Sequence, residues 1–525
     1  MANVIRFFLR LGLLLLLLPI CLGVSAATGE LGSPKFKPTP EQPIGWRGDG
    51  TGRYPAATPP LAWGRTKSGA AYTTKNFVWS VPLPNNGVSS PVIVGDKIFL
   101  TTEVFDLVCL DKQTGRILWI RSCPEFEGLP EDELKATPAY AEKLSPLLPQ
   151  LEKLNAEAVE ALNVQFTGGK SAGDVLNKKR ALEKKIQDEQ IAIDKKKFDR
   201  YWGQGVFGFA GQTPTSDGKH VCVFFTTGVA ACFDLDGKRL WIHHGSGGGS
   251  EHGNFASPIL VANRLAVWAN EMRGYDVATG KQLWATPAKA NNTYGSMFQF
   301  RSGNDQIVAF QSGFFTRVSD GKALWGENVF GDSIETPIVE GGMIFANLGY
   351  PRAGGDKVGF KAFKIPTGEG AKLTPAYDFK VEWADTEVPV IKDKAPFERS
   401  FCASPLFVDG LIYRMTEGGG LIVNEAATGA VVYHKALPMK PRTQYWNWAG
   451  ASSSPALAGK YISLMDNQGV TVIIEPGRQY KEVARNVIEE STDGKEQVQN
   501  LATPIFEGTR MYYHSPEFLF CIAEK

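Results

Sequence analysis

The sequence predicts an all-β fold, an eight-bladed β-propeller closed by an N-terminal strand and carrying one inserted α-helical hairpin. Three observations predict it. A Ser or Thr stands directly before a strand-opening Pro at Ser90-Pro91, Thr213-Pro214, Ser257-Pro258, Thr336-Pro337, Ser404-Pro405, Ser454-Pro455 and Thr503-Pro504, and Ser296-Met297 keeps the Ser without the Pro. The spacings run from 39 to 68 residues with one gap of 123, the period of a propeller or solenoid array. Each unit then repeats one grammar. In the first, residues 92–94 are apolar, Gly95-Asp96 turns, 97–102 and 107–111 alternate, Thr114-Gly115 turns, and a last short run carries Trp119. That is four strands joined by hairpins, one blade. Third, a Gly precedes the fourth strand at Gly115, Gly237, Gly280, Gly321, Gly368, Gly429 and Gly477, where a tight hairpin demands positive φ.

Eight first strands and seven such corners leave one blade without a continuous fourth strand. The last repeat supplies three runs, 503–506, 511–514 and 519–523, and then stops. Residues 77–81, which contain Trp79, offer the missing strand from the other end of the chain. Closing the ring in this way leaves no long open edge. The propeller is expected to span residues 77–525.

Ahead of it, Arg6 and Arg10 precede an apolar run from Leu11 to Ile20 and a small-residue stretch ending at Ala27. This is the layout of a secretory signal peptide, residues 1–27, cleaved near Ala27. The run is short for a membrane span, which takes about 20 residues. The mature protein is expected to be exported, to the periplasm or cell envelope or beyond, with no transmembrane segment after cleavage, and to be a monomer. Cleavage removes two Arg and no acid, leaving 54 basic and 55 acidic residues. Near-neutrality argues against nucleic acid as a partner, because phosphate binding needs a basic surface.

Six of the seven cysteines follow residue 27. Cys109, Cys232 and Cys521 share one position of the third strand, where other blades carry Gly274 or Val423. A site accepting Cys, Gly and Val reads as small and packed, so these are expected as free core thiols. Cys222 and Cys232 stand symmetrically about Thr227 across a hairpin, which leaves a bridge between them as the alternative.

Residues 28–76 are rich in Pro and Gly and lack periodicity, so they read as an irregular arm over the propeller. Arg47-Gly48-Asp49 within it is a turn rather than an adhesion motif. The 123-residue gap holds the insertion, 124–203. Leu147, Leu151, Leu154, Ala158 and Leu162 step at helical spacing, Gly168-Gly169 interrupts, and Val175, Leu182, Ile186 and Ile193 form a looser stripe. The first helix is acidic and the second basic, which favours an antiparallel pair. The hairpin either projects as a partner-binding arm or lies against the propeller.

The blade motifs carry a resemblance. The stretch Asp111-Lys-Gln-Thr114-Gly115-Arg-Ile-Leu-Trp119 resembles the signature repeat of the bacterial PQQ-like β-propeller family. Asp276-Val-Ala-Thr279-Gly280-Lys-Gln-Leu-Trp284 does so too, and Asp234 to Trp241 and Asp320 to Trp325 are shortened versions. The resemblance implies that Trp79, Trp119, Trp241, Trp284, Trp325 and Trp383 pack between blades as structural residues. One branch of this family comprises quinoprotein alcohol dehydrogenases that hold PQQ and Ca²⁺ on the axis; another includes the non-catalytic outer-membrane-assembly lipoprotein. The dehydrogenase branch places a disulfide of adjacent cysteines against the quinone, and this chain has no Cys-Cys pair and no Cys-x-x-Cys-His haem site. No cofactor is therefore expected, with a PQQ-dependent alcohol or sugar dehydrogenase as the alternative.

Binding is expected on the face where each fourth strand connects to the next blade, because these are the longest and least regular loops. Glu251, His252 and Phe255 border a Gly-rich stretch, and Tyr445, Trp446 and Trp448 form an aromatic cluster suited to a protein or envelope ligand. Trp446 and Trp448 alternatively fill the funnel itself. His243, His244 and His252 lie near Glu251, but adjacent strand residues point to opposite faces, so no metal site is assigned. Neither a Ser-His-Asp order nor a Gly-x-Ser-x-Gly elbow is present, so no catalytic residue is assigned.

Overall fold

The computed structural model describes residues 29–68, 71–199, 208–245, 254–290, 293–349, 359–380, 402–439, 451–489 and 501–524. They form eight sheets, each built on a four-stranded antiparallel blade opened by the strand after one of the Ser/Thr repeats. Blade 1 is Val92–Val94, Lys97–Thr102, Asp106–Asp111 and Ile117–Ser122. Blade 8 is Ile505–Glu507, Arg510–His514 and Phe518–Ile522, completed by Phe77–Pro82 with Trp79 opposite Cys521. The ring closes as the sequence predicts.

Burial follows position in the blade. Second and third strands are covered on both sides by neighbouring blades, so Lys97–Thr102 and Asp106–Asp111 are almost wholly buried. Fourth strands form the rim, and Gln282–Pro287 alternates between buried and exposed. In blades 1 and 3 the corner before the fourth strand is fixed twice over. Asp111 Oδ1 accepts from the Thr114 N–H (2.7 Å) and hydroxyl (2.7 Å), and Asp276 treats Thr279 alike, an Asx turn. The following Gly then has positive φ, 77° at Gly115 and 72° at Gly280. That Gly also receives the Trp of the preceding blade: an added Cβ at Gly115 would lie 2.9 Å from the Trp79 ring, and one at Gly321 would lie 2.5 Å from Trp284. Trp241 and Trp284 donate their indole N–H to Val277 O (2.8 Å) and Val318 O (3.0 Å) of the next blade. Trp383 lies outside the described residues.

Two expectations need correction, and one left open is decided. The arm is less irregular than its composition suggests. Arg53–Tyr54 pairs in parallel with Leu457 and Ala458 on blade 7, and Gly64–Ser68 with Ala71–Lys75 forms a hairpin that extends the outer edge of that blade. These strands are polar and short, so they show no hydrophobic alternation; they cover an edge instead of a core. Cys232 is not a free thiol. It faces Cys222 in register across the hairpin and the two form a disulfide, whereas Cys109 and Cys521 are free and buried. The equivalent blade positions are alike in burial but only blade 2 places a second Cys opposite. Among the described residues no helix is long and apolar enough to cross a membrane.

The insertion takes the second of the two arrangements open to it. Helices Leu148–Phe166 and Gly173–Ile193 lie against the outer edge of blade 1 rather than projecting. Asn163 reads the edge strand as a neighbouring strand would, accepting from the Ile117 N–H and donating to the Ile117 carbonyl, both at 2.9 Å. Lys179 is buried between Asp106 (2.5 Å) and Glu183, and Asp106 also accepts from Ser122 (2.6 Å). The looser stripe in the second helix has this cause: Lys179, Glu183 and Gln190 interrupt its apolar face.

That seam makes stability pH-dependent. Burial, and then the Asp106 charge, push the Glu183 carboxyl up. Burial likewise raises Glu103 to about 7 and Glu335 to about 8. Each native carboxyl holds its proton to higher pH than in the unfolded chain, so stability falls as pH rises through these values. His514, lowered to about 4 by burial, acts in the opposite sense, but only below its unfolded value of about 6.5. Urea midpoints are expected to fall from about pH 6.5, above which His514 adds nothing, to about pH 8, the upper part of a decline that starts at the unfolded carboxyl value of about 4.3. Glu183→Gln should flatten the fall; an unchanged slope in that variant would remove Glu183 as a cause.

Candidate functional site

The repeated Ser and Thr residues meet around the axis. The Ser90 N–H donates to Thr213 Oγ1 (3.1 Å), and Thr213 N–H to Ser257 Oγ (3.1 Å). The same link joins Ser296 to Thr336 (2.7 Å), Thr336 to Ser404 (3.0 Å), Ser404 to Ser454 (3.1 Å) and Ser454 to Thr503 (3.1 Å). Thr503 N–H reaches back to Ser90 Oγ (3.1 Å), tying the last blade to the first. At seven of the eight positions, all but Ser296, a small hydroxyl accepts the neighbour's N–H where the blades converge. The following Pro costs nothing there, since it opens the strand and has no N–H to place. Thr213→Val preserves shape but strands the buried Ser90 N–H, and is expected to cost about 1–3 kcal/mol in urea denaturation; an unchanged midpoint would mean the ring adds no stability.

Residues two places before the ring, in the segments that lead into these strands, also face the axis. They include Val88, Phe255, Tyr294, Ile334, Cys402 and Leu501, and with the hydroxyl ring they wall a cavity of about 180 Å³. Phe255 and Tyr294 lie nearly parallel, centroids 6.4 Å apart and planes 20° apart. An added Cβ at Gly211 would strike the Phe255 ring at 2.5 Å, so the absence of a side chain there sets where Phe255 sits. Behind the wall, Cys402 Sγ donates to Glu417 Oε1 (2.7 Å), and Glu417 is buried.

The arm seals the far end. Trp46 lines both the funnel and a smaller cavity under the arm. Arg47 is fully buried and donates to Pro405 O and Pro455 O, each at 2.9 Å, carbonyls of two Ser-Pro repeats. Burial lowers its pKa to about 10, which leaves the guanidinium charged at neutral pH. Gly52 is pressed against this side chain, where an added Cβ would lie 2.5 Å from the guanidinium. The Arg47-Gly48-Asp49 sequence is therefore an axial plug, and its Arg is not available to a receptor.

Of the residues the sequence singles out for binding, Phe255 lies on the funnel wall. Glu251, His252, Tyr445, Trp446 and Trp448 lie outside the described residues. His243 stacks on Tyr275 (centroids 5.6 Å, 11°), while His244 approaches Glu125 (3.4 Å) and packs near Phe198, so the pair does point to opposite sides of its strand. Sequence reasoning passed over Trp46, Tyr294, Ile334 and Cys402. The signal was available: lining up the repeats two positions upstream of each Ser/Thr places the last three in one column with Phe255.

The molecule is thus a propeller with a plugged axis and a hydroxyl-ringed funnel whose described lining residues carry no charge. Residues 156–309 and 269–516 match the family model described as outer membrane protein assembly factor BamB. The chain belongs to this PQQ-like propeller family. Among curated proteins no sequence matches it. Its fold is similar to that of BamB from Moraxella catarrhalis, at 12% identity over 85% of this chain and 99% of that one, with a TM-score of 0.48. The quinohemoprotein alcohol dehydrogenase from Comamonas testosteroni is 11% identical over 86% of this chain and 76% of its own, with a TM-score of 0.46.

Proposed function

We propose that this protein is an exported, non-catalytic scaffold that binds a protein or cell-envelope ligand through the funnel face. The observation that carries the reading is the chemistry of the funnel wall. Among the described residues its lining contains no Asp, Glu, Lys, Arg or His. PQQ bears three carboxylates and is held with Ca²⁺, a cation that takes several oxygen ligands, carboxylates prominent among them. A neutral wall whose hydroxyls already accept backbone N–H groups does not fit that pair, and no step through a quinone is derived. The family match, to a model described as an assembly factor, supports the same reading, as does the signal-like N-terminus.

The test uses full-length tagged protein expressed in a Gram-negative host. Recovery in the periplasmic fraction, with the mature chain starting near Thr28, is expected. A defined envelope protein should co-purify, and Trp446→Ala/Trp448→Ala or Phe255→Ala should reduce its recovery while leaving thermal stability nearly unchanged. Cytosolic retention, or equal recovery with every funnel-face variant, would overturn the proposal.

A further inference from the structure

Resting on that reading, we infer that the funnel is a socket for one neutral aromatic side chain presented by a partner polypeptide. Volume is the first argument. The funnel encloses about 180 Å³, and a cavity of about 150 Å³ lined by aliphatic and aromatic groups is enough to hold a benzene ring. Its walls are the second. The nearly parallel Phe255 and Tyr294 rings, with Ile334 and Leu501 beside them and the Trp46 indole as floor, offer faces and edges to another ring. Third, the polar part of the wall is uncharged: the hydroxyls of the ring accept N–H groups from neighbouring blades and keep only neutral O–H donors. A charged ligand would lose its hydration there with no counter-charge among the described lining residues. An aromatic ring gives up little, and burying it is favourable.

The wall contains its own reporter. Cys402 is half-buried on the funnel, whereas Cys109, Cys123 and Cys521 are buried and Cys222 is bonded to Cys232. Alkylation of Cys402 by N-ethylmaleimide, followed by peptide mass spectrometry, reads occupancy directly. N-acetyl-tryptophanamide is expected to slow labelling about tenfold once its concentration exceeds its Kd by that factor, since only the empty fraction reacts. N-acetyl-leucinamide and PQQ should protect far less, and Phe255→Ala or Tyr294→Ala should abolish protection at unchanged Tm. Should the thiol resist the reagent, calorimetric titration of the same probes into wild-type and Tyr294→Ala protein gives the same comparison. Protection by free indole without N-acetyl-tryptophanamide would overturn the polypeptide source. Binding that emerges only in Trp446→Ala/Trp448→Ala would mean that the chain's own side chains occupy the socket, and would also overturn the inference. Equal protection by PQQ, or none by any aromatic probe, would do the same. Envelope-partner recovery is measured without these probes, so its persistence alongside their failure removes this inference and leaves the scaffold reading standing.

Discussion

A chain lacking residues 28–82 is expected not to fold. The deletion removes Phe77–Pro82, the fourth strand of blade 8, and leaves Phe518–Ile522 as a bare edge. It removes Trp79 from the seam where it packs on Gly115, and it withdraws the Arg47 plug from the carbonyls of Pro405 and Pro455. Closure, seam and axis are lost together, and an unpaired edge of this kind promotes association. Far-UV circular dichroism and size exclusion should show a collapsed or aggregated chain with no cooperative urea transition. A sharp, reversible transition in the truncated protein would contradict the closure.

The second large effect falls on one of two adjacent residues. Trp284→Ala is expected to cost about 3–5 kcal/mol, the range for removing a buried large aromatic. Leu283→Ala, one residue earlier on the same strand, should stay within about 0.5 kcal/mol, as surface changes do. The contrast follows from the rim strand: Leu283 is 42% exposed while Trp284 is 7% exposed. Trp284 also donates to Val318 O across the blade boundary and covers Gly321. Urea denaturation of the two variants side by side measures the difference. Similar losses in both would mean that the Trp seam does not couple the blades.

What was legible in the sequence is what repeats. Seven Ser/Thr-Pro pairs with Ser296-Met297 as the eighth repeat fixed the blade count, and the seven corner glycines with Trp79 identified the closing strand, because each feature recurs at one place in a periodic unit. What was not legible depends on a neighbour in space. Nothing local tells that Ser90 must meet Thr213 and Thr503, so the hydroxyls could be counted without their hydrogen-bond ring being seen. The hairpin of Gly64–Ser68 and Ala71–Lys75 escaped because it covers an edge and needs no apolar face. Cys232 was misread because its burial matches that of Cys109 and Cys521, and the difference lies in what stands opposite. For the candidate site, Phe255 was found from its place before a repeat. Tyr294, Ile334 and Cys402 occupy the same column but adjoin no conspicuous loop motif.

The central claim, a binding scaffold instead of a quinone enzyme, is tested most directly by titrating the purified protein with PQQ in the presence of Ca²⁺. Bound quinone is followed by absorbance and calorimetry, and turnover by dye reduction with alcohols and aldose sugars. The uncharged lining among the described residues predicts no saturable PQQ binding and no dye reduction above the protein-free rate. Stoichiometric PQQ with substrate-dependent dye reduction would contradict the account.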